Sequence, residues 1–280
     1  MIRFEETDNP DINIALRVSR PIYSGHTGFQ NVEVFENEAL GAVLALDGIV
    51  QTTERDEFVY HEMLVHPAMM AHPGARRVLI VGGGDGGALE EALKHPIEHV
   101  TMVEIDRRVI ELCREHLPSI SGEAFDDPRL DLVIGDGVAY VAGTERRFDV
   151  ILVDSTEPIG PGAALFETPF YAGCRACLTP GGILVTQNAV PFLQREVARD
   201  AVRRLRPLFA DVALYVAPVP SFVGGHMAFG WASQDAEARA TEPGTLERRF
   251  AEAKIATRYY TPEIHRAAFA LPPYIAELMD

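Results

Sequence analysis

The sequence predicts an α/β protein, a mostly parallel sheet with a glycine-rich first turn, preceded by a small antiparallel β unit. Three observations predict it. Residues 77–81 form a short apolar run ending in glycines, which reads as a buried parallel strand. Residues 82–87 read G-G-G-D-G-G, and residues 88–95 then keep helical spacing until Pro96 stops them. Residues 99–103 are a second apolar run, with Glu104 at its carboxyl end. Strand, glycine loop, helix, strand and acid in this order predict a Rossmann-like nucleotide site, the bland alternative being a glycine turn that holds no ligand. Bare backbone lets a nucleotide approach, and an acid about 20 residues beyond the loop can accept hydrogen bonds from two ribose hydroxyls.

The N-terminal unit is predicted from alternation. Residues 12–18, 29–35 and 40–46 are apolar-rich or alternating, and Asp47-Gly48 is a turn signal before residues 49–53. Gln30 and Gln51 are polar in otherwise apolar strands, which ordinarily marks a solvent-facing position. Residues 56–71 have the spacing of a helix with Asp56 as its cap. That helix carries Tyr60, His61, Glu62 and His66. A zinc protease motif needs its histidines four apart; these are five apart, so zinc is rejected. Pro73-Gly74 closes the segment, giving an N-terminal β unit with a linking helix over 1–72 and a Rossmann-like domain over 73–280.

Within the larger unit, a helix is expected over 107–117 and strands over 130–134 and 148–153. A helix over 168–178, a strand over 182–187 and a helix over 192–207 follow. Strands over 212–216 and 226–232 come last, as antiparallel neighbours, before short helices. Cys174 and Cys177 form C-x-x-C inside a helical pattern without a second ligand pair, so metal or redox use is not expected of them.

Bulk properties narrow the function. A formal net charge of −16 with no basic stripe argues against nucleic acid as a partner. An acidic surface can steer a polycationic substrate instead. The first ten residues lack a basic region followed by an apolar core, and no apolar run approaches about 18 residues, so neither a signal peptide nor a membrane span is expected. Three cysteines, poorly spaced for a disulfide framework, fit the cytoplasm.

Three acids, Glu104, Asp136 and Asp154, each fall just past the carboxyl end of a predicted parallel strand, where open α/β sheets bind ligands. Gly82, Gly84 and Gly87 satisfy G-x-G-x-x-G, which serves NAD as well as adenosyl-sulfonium cofactors. Asp85 weighs against a dinucleotide, because it places negative charge where a pyrophosphate would lie. It suits a cationic ligand group. Asp154 opens D-S-T-E-P-I-G-P-G, a loop fit to cover a ligand, and Glu157 adds a further carboxylate. Such a cluster needs a cation, and carboxylates spread over different loops are no specific metal signature. A substrate carrying amines fits best.

The stretches 46–63, 78–87, 102–106, 135–137, 154–162, 165–171 and 265–272 resemble the spermidine synthases of the polyamine aminopropyltransferase family. The most specific are L-D-G-I-V-Q-T-T-E-R-D-E-F-V-Y-H-E-M and D-S-T-E-P-I-G-P-G. The resemblance implies a methyltransferase-type α/β domain behind a small β domain. It implies transfer of an aminopropyl group from decarboxylated S-adenosylmethionine, a co-substrate and not a resident cofactor, to putrescine, releasing methylthioadenosine. It also implies a homodimer. Gln30, Gly82, Gly84, Asp85, Glu104, Asp136, Gly137 and Pro161 would hold the nucleoside donor. Among them, Glu104 would take the ribose, Asp136 with Gly137 the adenine, and Asp85 the amine of the aminopropyl group. Tyr60, His61, Asp85, Asp154, Ser155, Thr156 and Glu157 would hold the acceptor. Asp154 would take the proton from the attacking nitrogen. No metal is implied.

A free aspartate has a pKa near 3.9 and an alkyl amine near 10.4, so this proton transfer is uphill by roughly 9 kcal/mol in water. Burial and Tyr60 are expected to narrow the gap, with alignment for displacement supplying much of the rate. Three features depart from the family pattern: Glu157 where aspartate is usual, Phe222-Val223 where tyrosine is frequent, and Phe4 where tryptophan is common. All three are expected on the acceptor side, which leaves cadaverine, 1,3-diaminopropane and agmatine as rival acceptors. A methyltransferase using S-adenosylmethionine would share the fold, but Asp85 and the 154–162 loop argue against it. Intact Tyr60, Asp85 and Asp154 argue against a nucleoside-binding protein without turnover.

Overall fold

The computed structural model describes residues 2–9 and 11–280. Strands β1 (Ile2–Asn9) and β2 (Ile12–Val18) pair as an antiparallel hairpin. Strands β3 (Arg20–His26), β4 (Asn31–Asn37), β5 (Gly41–Leu46) and β6 (Ile49–Thr53) form a four-stranded antiparallel sheet in sequence order. The sequence had not shown β1 or β3 as strands. β3 carries Pro21 and Gly25 and lies at the sheet edge, where a missing N–H is tolerated. The strand expected from 29 begins at Asn31, because Thr27 N–H bonds the Gln30 carbonyl and Gly28 turns the chain at φ +106°.

Helix α1 (Glu57–Ala71) links this unit to the large sheet and is buried all round from Val59 to Ala71. A helix apolar on every side belongs between layers, and α1 packs against α2 (Gly87–Leu93) and three strands of the large sheet. Asp56 does not cap it. Its carboxylate accepts from the Thr53 hydroxyl and, at 2.6 Å, from the Ser221 N–H, so it ties α1 to the loop after the last but one strand. At the far end Arg249 caps α1 from outside, donating to the carbonyls of Met70 and Ala71.

The large sheet holds β7 (Arg77–Gly82), β8 (His99–Glu104), β9 (Leu130–Ile134), β10 (Phe148–Asp154), β11 (Leu178–Gln187), β12 (Asp211–Ala217) and β13 (Met227–Ser233). Their order is β12-β13-β11-β10-β7-β8-β9; β13 runs antiparallel to both neighbours and the other pairings are parallel. The remaining helices are α3 (Arg107–His116), α4 (Pro118–Ser121), α5 (Gly137–Gly143), α6 (Thr168–Cys177), α7 (Arg195–Leu205), α8 (Pro243–Ala253), α9 (Pro262–Ala268) and α10 (Pro273–Ala276). Alternate residues of the central strands serve opposite faces: Val78, Ile80, Val150 and Leu152 pack with α1, while Leu79, Val81, Ile151 and Val153 pack with α6. That is why these strands read as continuous apolar runs. The N-terminal sheet docks through Val32, Val34, Leu44 and Leu46 onto Val109, Leu112 and Cys113 of α3. It thereby closes one side of the ligand edge. Among the described residues, no helix is long and apolar enough to cross a membrane.

Candidate active site

A cavity of about 240 Å³ opens at the carboxyl ends of β7, β8, β9 and β10 and is walled on the far side by the N-terminal strands. The strand order changes direction at β7, which pairs with both β8 and β10, and ligands bind at such points. Gly82 sits opposite Asp154 across the β7–β10 pairing, and the Gly83 N–H donates to the Asp154 carbonyl at 2.9 Å. A side chain on Gly82 would begin 2.1 Å from that carbonyl oxygen. The loop thus needs glycine there to let two strand ends converge.

The cavity wall contains seven acids, Glu6, Asp47, Asp85, Glu104, Asp136, Asp154 and Glu157, and no lysine or arginine among the described residues. Glu104 is buried and accepts from the Asp106 N–H at 2.8 Å. Burial lifts its pKa to about 7, helped by the charges of Asp106 and Asp154 and opposed by the Asp106 N–H. Gln30 reaches Asp106 at 3.3 Å and lines the cavity beside Glu104. Asp136 is exposed at the rim and caps α5, its Oδ1 accepting from Val138 N–H at 2.7 Å. Gly82, Gly84, Gly137 and Pro161 also line the cavity, so every residue expected on the nucleoside side is brought to this one cavity.

On the other side, the Tyr60 hydroxyl donates to Asp154 Oδ1 at 2.8 Å. Asp154 Oδ2 is buried and has no hydrogen-bond partner among the described residues. Burial pushes the Asp154 pKa to about 6 and the charge on Asp85 adds to that, while His61 and the Tyr60 hydroxyl pull it down. The expectation for Tyr60 is therefore corrected: its hydrogen bond favours the carboxylate, and burial with Asp85 supplies the rise. Asp85 moves the opposite way. Burial would raise it, but the His61 charge and hydrogen bond and the Gly87 N–H outweigh that and hold it below the ordinary carboxylate value. The two carboxylates are thus driven apart in titration, one lowered and one raised.

Ser155, Thr156 and Glu157 line the cavity, and Glu157 accepts from Gln51 Nε2 at 3.3 Å. His61 is different. Its ring is 1% exposed and does not form the cavity wall; Nδ1 faces Glu57 at 2.8 Å and Nε2 faces Asp85 at 3.3 Å. Of the three departures, Phe222 and Val223 line the cavity, with Phe222 edge-on to Tyr60. Phe4 does not: it is buried against Phe35 in the N-terminal sheet, so its expected place on the acceptor side is corrected. Gln51, Glu6 and Gln187 reach the cavity without having been expected there. For Gln51 the signal was present, a polar residue in an apolar strand, but solvent was the simpler explanation of it.

An acidic cleft at a glycine loop, with a buried acid at the end of the next strand and a second carboxylate beside it, fits a group-transfer enzyme for amines. The chain belongs to the spermine/spermidine synthase family: residues 57–242 match the spermine/spermidine synthase domain and residues 2–54 the spermidine synthase tetramerisation domain. It is 51% identical over 278 residues to polyamine aminopropyltransferase 1 of Pseudomonas aeruginosa, covering 99% of this chain and 97% of that one. It is 52% identical over 265 residues to the polyamine aminopropyltransferase of Ruegeria sp., covering 94% and 93%. A crystal structure of spermidine synthase in complex with the transition state analogue AdoDATO superposes with a TM-score of 0.94 at 36% identity, covering 99% of this chain and 94% of that one. Spermidine synthase from Thermotoga maritima gives 0.91 at 35%, with the same coverage.

Proposed function

We propose that the protein transfers the aminopropyl group of decarboxylated S-adenosylmethionine to putrescine, giving spermidine and methylthioadenosine. The observation that carries this is Asp154 Oδ2, buried without a hydrogen-bond partner among the described residues, at a cleft whose charged lining residues, among those described, are all acids. The acceptor nitrogen attacks the aminopropyl carbon bonded to sulfur, the carbon–sulfur bond breaks, and sulfur keeps the electron pair as a neutral thioether. The proton of the attacking nitrogen passes to Asp154. With Asp154 near 6 against an amine near 10.4, the transfer is uphill by roughly 6 kcal/mol instead of 9. Asp85 stays ionised to receive the donor's ammonium group, and the same charge repels the carboxylate of ordinary S-adenosylmethionine. Glu104 with Gln30 takes the ribose, Asp136 with Gly137 the adenine, and Pro161 covers the base. Ser155, Thr156 and Glu157 form the acceptor wall.

The test is an amine panel with the decarboxylated donor, following methylthioadenosine release and product mass. Putrescine is expected to be turned over at least tenfold faster than cadaverine, 1,3-diaminopropane or agmatine. Preference for another amine would mean that Glu157, Phe222 and Val223 have reshaped the acceptor end. No release with any amine would end the enzyme proposal.

Nucleoside binding gives a second, independent prediction. Ribose hydroxyls donate to an ionised Glu104, which in the free protein loses its proton only near pH 7. Below that pH, binding must first expel a proton, so the Kd for methylthioadenosine should rise about tenfold per unit between pH 7 and 5.5 and stay flat above pH 8. Calorimetry measures it; a Kd independent of pH would remove Glu104 as the ribose ligand. The homodimer and the cytoplasmic setting are part of the same proposal. The match of residues 2–54 to a tetramerisation domain supports association, and sedimentation equilibrium counts the copies.

A further inference from the structure

We propose that Glu57 is a positioning residue of this transfer: through His61 it holds Asp85 in the orientation and charge state that receive the donor's ammonium group. The proposal rests on the aminopropyl-transfer reading for its kinetics, but not for its spectroscopy. Glu57 and His61 stand one turn apart on α1, so their side chains share a face. Glu57 Oε2 lies 2.8 Å from His61 Nδ1, and His61 Nε2 lies 3.3 Å from Asp85 Oδ2. Asp85 Oδ1 accepts from the Gly87 N–H at 3.0 Å, which fixes the second oxygen of the same carboxylate.

The ring cannot turn away. It lies against the bare Gly87 backbone at the start of α2, where an added Cβ would stand 2.2 Å from its Cε1 and Nδ1. The third glycine of G-x-G-x-x-G is therefore occupied by His61. Both ring nitrogens face carboxylate oxygens, and an imidazole can donate from both only when it carries two protons.

The charged and titratable groups facing the ring are Glu57 from its own helix, Asp85 from the glycine loop and Asp154 from the end of β10. The nearest polar atoms of His61, Asp85 and Asp154 fall within 4.8 Å of one another. The neighbouring Tyr60 hydroxyl is committed to Asp154. Burial opposes a charge on His61, yet Asp85 and Glu57 together outweigh it and raise its pKa well above the ordinary value. Without the Glu57 charge, one of the two anions that offset burial of the ring is gone, so the ring holds its second proton less tightly and Asp85 loses a permanently cationic partner.

Glu57→Gln keeps an acceptor at Nδ1 and removes the charge; Glu57→Asp restores the charge on a shorter arm. In the full-length protein labelled with nitrogen-15 histidine, with the His61 signal identified by its loss in His61→Gln, the wild-type ring is expected to stay doubly protonated from pH 6 to 9. In Glu57→Gln it should deprotonate within that range. In steady-state assays, KM for the decarboxylated donor should rise at least tenfold and the kcat/KM profile should gain an ionisation near pH 7. KM for the amine acceptor should stay within about twofold, and Glu57→Asp should recover part of the loss. A His61 signal that titrates identically in wild type and Glu57→Gln would overturn the proposal whether or not the protein transfers aminopropyl groups. Equal rises in both KM values, with melting temperature lowered and pH profile unmoved, would assign Glu57 a merely structural role and overturn it as well.

Discussion

Asp154→Asn is expected to lower turnover about 10³-fold while leaving methylthioadenosine affinity within about twofold. The asparagine amide fills the same space and its oxygen can still accept from the Tyr60 hydroxyl, but it cannot take the proton of the attacking nitrogen. The same substitution should stabilise the free protein. Burial and the charge on Asp85 lift the Asp154 pKa to about 6 from an ordinary 3.8. Between those values the folded chain holds a proton that the unfolded chain has released, so stability falls as pH rises through the window. Above pH 6 the penalty is complete, and about two pKa units correspond to something on the order of 3 kcal/mol. Below 3.8 it is absent. The neutral amide carries no such penalty, so the variant should melt several degrees above wild type at pH 8, with the gap closing toward pH 4. A rate loss under tenfold would remove Asp154 as the base. A melting gap that ignores pH would show that its charge is not what strains the site.

Gly82→Ala is expected to cost about 3–5 kcal/mol and to abolish measurable turnover. Two effects add. Gly82 has φ +85°, where an alanine is strained by about 1–2 kcal/mol, and its Cβ would lie 2.1 Å from the Asp154 carbonyl oxygen. Because that oxygen belongs to the backbone of the neighbouring strand, relief requires β7 and β10 to part at the ends that carry Asp85 and Asp154. Gly181→Ala separates the two effects: it has φ +77° but open space around its Cβ. It should cost only about 1 kcal/mol. Thermal unfolding should place Gly82→Ala roughly 10 °C below wild type and Gly181→Ala within a few degrees. Equal shifts would mean that backbone strain, and not the close approach of the Asp154 carbonyl, is what requires glycine at 82.

The large sheet was legible because its strands are buried on both faces and bounded by glycine, proline and charge. Residues 77–81, 99–103, 130–134 and 148–153 fall inside β7, β8, β9 and β10. The N-terminal strands were less legible, since β1 and β3 are exposed along much of their length and carry no clean alternation. The cap expected from Asp56 failed for a tertiary reason: a residue 165 positions later claims the carboxylate. Phe4 was placed on the acceptor side by resemblance alone, and the packing of Phe35 and Val43 draws it into a separate core.

For the donor side, local order was enough. A glycine loop and an acid one strand later must lie at one sheet edge once the strands are parallel, so Gly82, Gly84, Asp85 and Glu104 converge by connectivity. The rest was decided by contacts between distant segments. Gln51 meets Glu157 across 106 positions and Tyr60 meets Asp154 across 94, and no local pattern encodes either distance. The unequal titration of Asp85 and Asp154 is likewise a tertiary property. It depends on His61 and the Gly87 N–H holding one carboxylate ionised while the charge of that carboxylate faces the other, and electrostatics in a buried site follow separation in space.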